Sequence, residues 1–239
     1  MIRFHQFTGL LFVAASLCLT ESVVADPLTV NFSNIPGSSI TFVSTGDGAT
    51  FSFPGQSGND FSVSSDANFT SGDLTGLLGN ITGVFGYKTA DIVDLGGGVL
   101  MAPVTPVSTG NEFVIHDGSG ADFTADLAWT MLMTIAPGGG LDLSATINLT
   151  NFQYSGTLAP LQELAQSPSG SVTAAFTFQP IALDLNQLAT QCGGAGCSTS
   201  FSGTMAASPS PSVPEEPQPY GFLLGLVGLA GFHRRLLKA

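Results

Sequence analysis

Between Ala121 and Ala136 every odd position from Phe123 on is apolar (Phe123, Ala125, Leu127, Trp129, Met131, Met133 and Ile135), while most even positions are Asp or Thr. A period of two places the apolar set on one side of an extended strand. Pro137-Gly138-Gly139-Gly140 interrupts the run. Alternation then resumes with Leu141, Leu143, Ala145, Ile147 and Leu149 on one side and Asp142, Ser144, Thr146, Asn148 and Thr150 on the other. Two such runs about a glycine turn predict a β-hairpin, and its apolar face must be covered by a second layer. Past Thr150 the apolar parity moves to Phe152 and Tyr154, which marks a bulge or a strand end turned toward another layer.

The rest of the chain reads the same way. Leu28 to Ser33, Ser39 to Ser44, Ala49 to Phe53, Phe61 to Phe69, Ile81 to Lys88, Val99 to Val107 and Glu112 to His116 are candidate strands before the hairpin, with Ser171 to Leu183 and Thr199 to Met205 after it. Gly, Pro, Asn and Asp punctuate them. Pro160 to Gln166 reads as one helical turn, and Leu183 to Thr190 is open between helix and strand. The expected fold class is all-β: a single antiparallel β-sandwich, with a jelly-roll-like arrangement or an open barrel as the alternative. No short rung motif repeats, which argues against a parallel β-helix.

Both ends carry targeting patterns. Residues 1–25 have the layout of a signal peptide: Arg3 in the n-region, Gly9 to Leu19 apolar, and Val23-Val24-Ala25 before an expected cut between Ala25 and Asp26. The exported domain is expected over 26–205. A Pro/Ser-rich stalk and an acidic hinge follow over 206–219, then an apolar segment with a basic end over 220–239. The run from Tyr220 to Phe232 has 13 residues, so as a helix it is roughly 20 Å long. A bilayer core needs about 30 Å. A short, transient membrane helix is therefore expected, with Arg234, Arg235 and Lys238 held in the cytoplasm and everything before Tyr220 across the inner membrane.

The sequence Val213-Pro214-Glu215-Glu216-Pro217, followed by the apolar run and by Arg234-Arg235, resembles the PEP-CTERM sorting signal of bacterial envelope proteins, with one Glu more than the Val-Pro-Glu-Pro pattern. The resemblance is confined to this tail. It implies processing by a membrane enzyme of the exosortase type and release to the cell surface or an extracellular polysaccharide matrix.

Of the chain's 17 acidic residues all but Glu21, Glu215 and Glu216 fall within Asp26 to Val213, and of its five basic residues only Lys88 does. Fourteen acids against one base leave a net charge of −13, which repels phosphate backbones and sets nucleic acid aside. Such a domain suits divalent cations or neutral sugars. Cys192 and Cys197, separated by Gly-Gly-Ala-Gly, are expected to pair in an oxidising compartment.

Catalytic patterns are sparse. His116 is the one histidine of the exported domain, and no Gly-x-Ser-x-Gly elbow presents a nucleophile. Asp117, Asp122 and Asp126, about a glycine-rich loop, form the best candidate set for calcium, although the spacing departs from an EF-hand. No other cofactor is expected. The chain thus reads as a non-catalytic exported surface or matrix protein, with exopolysaccharide or another envelope protein as partner. A secreted polysaccharide hydrolase using paired carboxylates and a calcium-stabilised structural or adhesion module are the alternatives.

Overall fold

The computed structural model describes residues 26–135, 141–178 and 183–208. The expected leader, the Pro137 to Gly140 segment and the tail with the expected sorting motif lie outside these residues.

The chain is all-β, with two short α-helices among the described residues. Its strands are β1 (Leu28–Asn34), β2 (Ile40–Ser44), β3 (Gly48–Ser52), β4 (Phe61–Ala67), β5 (Leu78–Ile81), β6 (Val84–Lys88), β7 (Val93–Gly96), β8 (Val99–Pro103), β9 (Thr105–Pro106), β10 (Glu112–His116), β11 (Asp122–Ile135) and β12 (Leu141–Gln153). Helix α1 (Ala159–Ala165), β13 (Ser169–Phe178), helix α2 (Leu185–Gln191), β14 (Cys197–Thr199) and β15 (Phe201–Ser208) complete it.

All pairings are antiparallel. One sheet runs β10-β5-β4-β1-β15-β13-β12-β11-β8-β7, and β10 also pairs with β11, so eight strands close on themselves. β11 manages this by dividing one edge: Asp122 to Asp126 bonds to β10, and Met131 to Ile135 bonds to β8. Closure removes edges that would otherwise invite pairing with other chains. The second sheet, β14-β2-β3-β6-β9, packs on the first. Trp129 on β11 meets Phe51 on β3 edge-on at 4.8 Å and Phe85 on β6 at 5.0 Å. The expected second layer is present, and Trp129 faces it. The side chain of Leu143 lies outside the described set.

Cross-strand register shows why this core is continuous. Val30, Met205, Val172, Ile147 and Trp129 are successive partners across β1, β15, β13, β12 and β11, and all five are buried. Directly paired residues on one face are the unit of sheet stabilisation. The ring of Phe32 covers its partner Gly203, where a Cβ would lie 2.4 Å from the ring, and Phe61 covers Gly79 in the same way at 2.3 Å. Glycine makes room for the aromatic ring at both pairs.

The alternation of β11 shifts partway along. Between Trp129 and Met131 the partner advances only from Ile147 to Thr146, so Thr130 is an extra residue. Beyond that bulge Leu132 and Thr134 are buried, while Met131, Met133 and Ile135 are half-buried. The reading that all odd positions face inward holds to Trp129 and is corrected beyond it. The run from Ile81 to Lys88, read as one strand, bends at Thr82-Gly83 and passes from one sheet to the other. Gly83 has φ +109°, and a Cβ there would meet Asn111 Oδ1 at 2.1 Å. Val99 to Val107 divides similarly at Val104. The ambiguous Leu183 to Thr190 segment is helix α2, started by a reciprocal cap between Asp184 and Gln187.

Candidate functional site

Two clefts among the described residues bring candidate side chains together. The first lies where β11 and β12 leave the core. Asn151 takes a left-handed conformation, φ +54°, and three residues of β12 span two of β11 between the pairs Asp126↔Thr150 and Thr124↔Gln153. This second bulge is the parity change visible past Thr150. It turns Phe152 onto Phe123, with ring centroids 5.5 Å apart. Tyr154 comes to the Asp117 loop: its hydroxyl donates to Asp117 Oδ2 at 2.9 Å and accepts from Leu158 N–H at 3.0 Å. The resulting groove, about 470 Å³, is lined by Asp122, Thr124, Phe152, Gln153, Tyr154 and Ser155, with Ala165 of α1 at one end.

Asp117 is engaged by its own loop. Oδ1 accepts from the backbone N–H of Ser119, Gly120 and Ala121 at 2.7, 3.1 and 3.1 Å, and Oδ2 accepts from the Ser119 hydroxyl at 2.7 Å as well as from Tyr154. The Ser119 hydroxyl, the backbone donors and Tyr154 together hold its carboxyl down to about 2. Asp122 faces His116 across the β10–β11 ladder, with Nδ1 to Oδ1 at 2.8 Å. Asp126 Oδ2 accepts from Asn151 Nδ2 at 3.3 Å. The three expected calcium ligands thus lie near one another along the chain, each with a separate protein partner. Among the described residues no three His, Cys, Asp or Glu side chains gather as a metal-holding group. His116 pairs with Asp122 rather than with its neighbour Asp117.

The second cleft, about 270 Å³, was not legible in the sequence. It is lined by Ser52, Pro54, Gly55, Asp60, Asn80 and Thr82, with Phe53, Gly58, Ile81 and Gly83 completing the wall. Ser57 and Gly58, at φ +58° and +81°, make a tight two-residue turn closed by reciprocal bonds between Gln56 and Asn59. That turn brings Asp60 back under the β5–β6 bend. Asp60 is 3% exposed. Its Oδ2 accepts from Ile81 N–H at 2.7 Å. Burial raises its carboxyl to about 6, the Ile81 bond and the His116 charge opposing only part of the effect. In sequence Asp60 is one of many turn aspartates, and only the return of the chain beneath β5 distinguishes it.

Cys192 and Cys197 form the expected disulfide, S–S 2.04 Å with Cα atoms 5.1 Å apart. It sits at the end of α2, where Ser44 N–H donates to Cys192 O at 2.6 Å. Among the described residues no helix is long and apolar enough to cross a membrane. Ala25, Val213 to Pro217, Arg234 and Arg235 fall outside the described residues; Asp26 is the first of them.

No family model matches the chain, no curated protein matches it, and no solved structure matches it.

Proposed function

We propose that this chain is an exported, non-catalytic surface or extracellular-matrix protein that binds polysaccharide, carried through the inner membrane as a tail-anchored precursor and released by an exosortase-type enzyme. The observation that carries the polysaccharide reading is the groove at the end of β11 and β12. It sets two half-buried rings, Phe152 and Tyr154, beside the hydroxyls of Thr124 and Ser155 and the amide of Gln153. Sugars present apolar ring faces edged by hydroxyls, and recognition of them combines an aromatic surface with uncharged donors and acceptors.

The domain's charge supports a partner that is not anionic, and the disulfide suits an oxidising compartment. Each of the two clefts is lined by a single carboxylate, Asp122 in one and Asp60 in the other, where glycoside hydrolysis ordinarily uses two. The test is retention of the purified protein on the producer's own exopolysaccharide, with and without EDTA. Retention unaffected by EDTA and lost in Tyr154→Ala supports the reading. A protein that flows through under both conditions sinks it, and retention abolished by EDTA transfers the case to a calcium-dependent module.

A further inference from the structure

The Asp60 cleft holds a carboxylate nearly out of solvent, with one oxygen left over and no Lys or Arg set against it, whereas Asp122 in the groove beside Tyr154 is exposed and paired with His116. Asp60 Oδ2 is taken by Ile81 N–H, its backbone N–H donates to Gly79 O at 2.7 Å, and its backbone O accepts from Ile35 N–H at 3.2 Å and from the Ser38 hydroxyl. Among the described residues no donor reaches Oδ1, and Asp60 lines the cleft. Gly55 provides the space, because a Cβ there would lie 2.0 Å from Oδ1. Lys88, the one Lys or Arg of the described residues, sits at the end of β6 away from the cleft, which takes in Gly83 before the strand's start.

A buried carboxylate with no Lys or Arg against it, and with the His116 charge offsetting only part of its burial, is costly, and a cation that enters with its own hydrogen-bond donors relieves that cost. We propose that the Asp60 cleft receives the primary ammonium of an amino-sugar residue, so that the polysaccharide this protein favours carries free amino groups. The proposal rests on the polysaccharide reading only in taking the ammonium from a sugar. An ammonium has three donors and needs no cage. Oδ1 of Asp60 takes one, and the polar residues Ser52 and Asn80 line the same cleft. A calcium ion would require six to eight oxygen ligands around it, and the cleft offers one carboxylate. Its volume is below the roughly 300 Å³ at which pockets take drug-sized ligands, which suits one sugar ring rather than a length of chain. The acidic domain raises the local concentration of a polycation around this site.

The experiment compares binding of a fully deacetylated glucosamine oligomer and its fully N-acetylated counterpart to the purified protein, to Asp60→Asn and to Asp94→Asn, an exposed carboxylate on β7 outside both clefts, by calorimetry near neutral pH. Asp60→Asn keeps an oxygen for Ile81 N–H and removes only the charge, and a thermal melt confirms that it folds. Wild type is expected to prefer the deacetylated oligomer by about tenfold. Asp60→Asn loses that preference and Asp94→Asn keeps it. The preference also fades below pH 6 as Asp60 takes up its proton, with His116 on β10 the other titratable group whose charge reaches it. Equal binding of the two oligomers overturns the proposal, as does a preference that survives in Asp60→Asn and disappears in about 0.5 M salt, which is diffuse attraction to an acidic surface. Calcium binding that depends on Asp60 without any preference between oligomers overturns it too, in favour of a metal site. Retention on exopolysaccharide together with equal oligomer binding removes this proposal and leaves the matrix reading intact; the reverse pattern removes the matrix reading alone.

Discussion

Ile81 N–H points at Asp60 Oδ2 from 2.7 Å and holds a carboxylate under the bend where β5 passes into β6. This bond is strong enough to fix the side chain and too weak to offset its burial, so the group titrates near 6 instead of at its ordinary 3.8. In the unfolded chain the proton leaves first. The contribution of Asp60 to stability is therefore complete below pH 3.8 and is lost as pH rises through about 6. At about 1.4 kcal/mol per pH unit, the loss amounts to at most about 3 kcal/mol.

Urea unfolding of wild type and Asp60→Asn from pH 4 to pH 8 measures this. The variant is expected to be the more stable of the two above pH 6, with the difference vanishing toward pH 4. Parallel curves at all pH values would show that Asp60 is solvated in the folded protein.

The faces of the central hairpin give a second prediction. Leu127 is buried, whereas Thr130 is exposed at the bulge and its hydroxyl donates to Thr146 O at 2.8 Å. Leu127→Asp buries an unpaired charge and is expected to prevent folding. Thr130→Asp loses one exposed hydrogen bond and costs about 1 kcal/mol. Thr134, fully buried and without a hydrogen-bond partner for its hydroxyl among the described residues, reverses the usual expectation. Thr134→Val is expected to raise stability by about 1 kcal/mol, since it removes an unmade hydrogen bond at nearly constant volume. A Thr134→Val protein that melts lower than wild type would show the hydroxyl to be satisfied.

These residues also mark how far the sequence could be read. Alternation identified the hairpin and its inward face because period two is a local signal that survives without knowledge of the partner strand. It failed at Thr130, where one extra residue exchanges the faces, because the residue types on either side, Trp129-Thr130-Met131, carry no mark of a bulge. The change at Phe152 was legible because aromatic residues there break the parity openly. β7 escaped notice because Val93-Asp94-Leu95-Gly96 is exposed along its whole length and so has no buried face to repeat. Closure of the eight strands depends on β11 sharing its edge between β10 and β8, a long-range pairing with no local signature. Asp60 was missed for the same reason, since its burial is set by strands that meet only in the fold.

The disulfide carries a third prediction. It closes a loop with a sequence separation of five, so constraint of the unfolded chain is worth only about 2 kcal/mol. Cys192 is buried at the end of α2, and the helix is also tied to the second sheet by Tyr87 OH donating to Leu185 O at 2.7 Å and by the Ser44 hydroxyl donating to Ala189 O. Cys192→Ser with Cys197→Ser is therefore expected to lower stability by about that amount while leaving the far-ultraviolet circular dichroism unchanged. Loss of the β signature on reduction would mean that the bridge, and not the core, holds β14 on β2.

The last prediction concerns the ends of the chain. β1 begins at Leu28 and β15 ends at Ser208, and the two pair along their length with Leu28 opposite Ala207. The two ends of the described domain are thus adjacent, and both expected cuts, one after Ala25 and the other between Val213 and Pro219, fall outside the described strands. Cutting at either place removes no described pairing, so a processed protein keeps its whole core and should melt at the same temperature as the precursor. Intact mass and terminal sequencing of the form recovered from the envelope or matrix are expected to show Asp26 at the start and no residue beyond Pro219. Replacing Arg234 and Arg235 with Ala should weaken retention of the precursor at the inner membrane if the tail is the proposed anchor, since basic residues just past an apolar segment favour the cytoplasmic side. A recovered form that still carries Phe232 to Ala239 would make the tail a lasting anchor, and the exosortase step would fall with it.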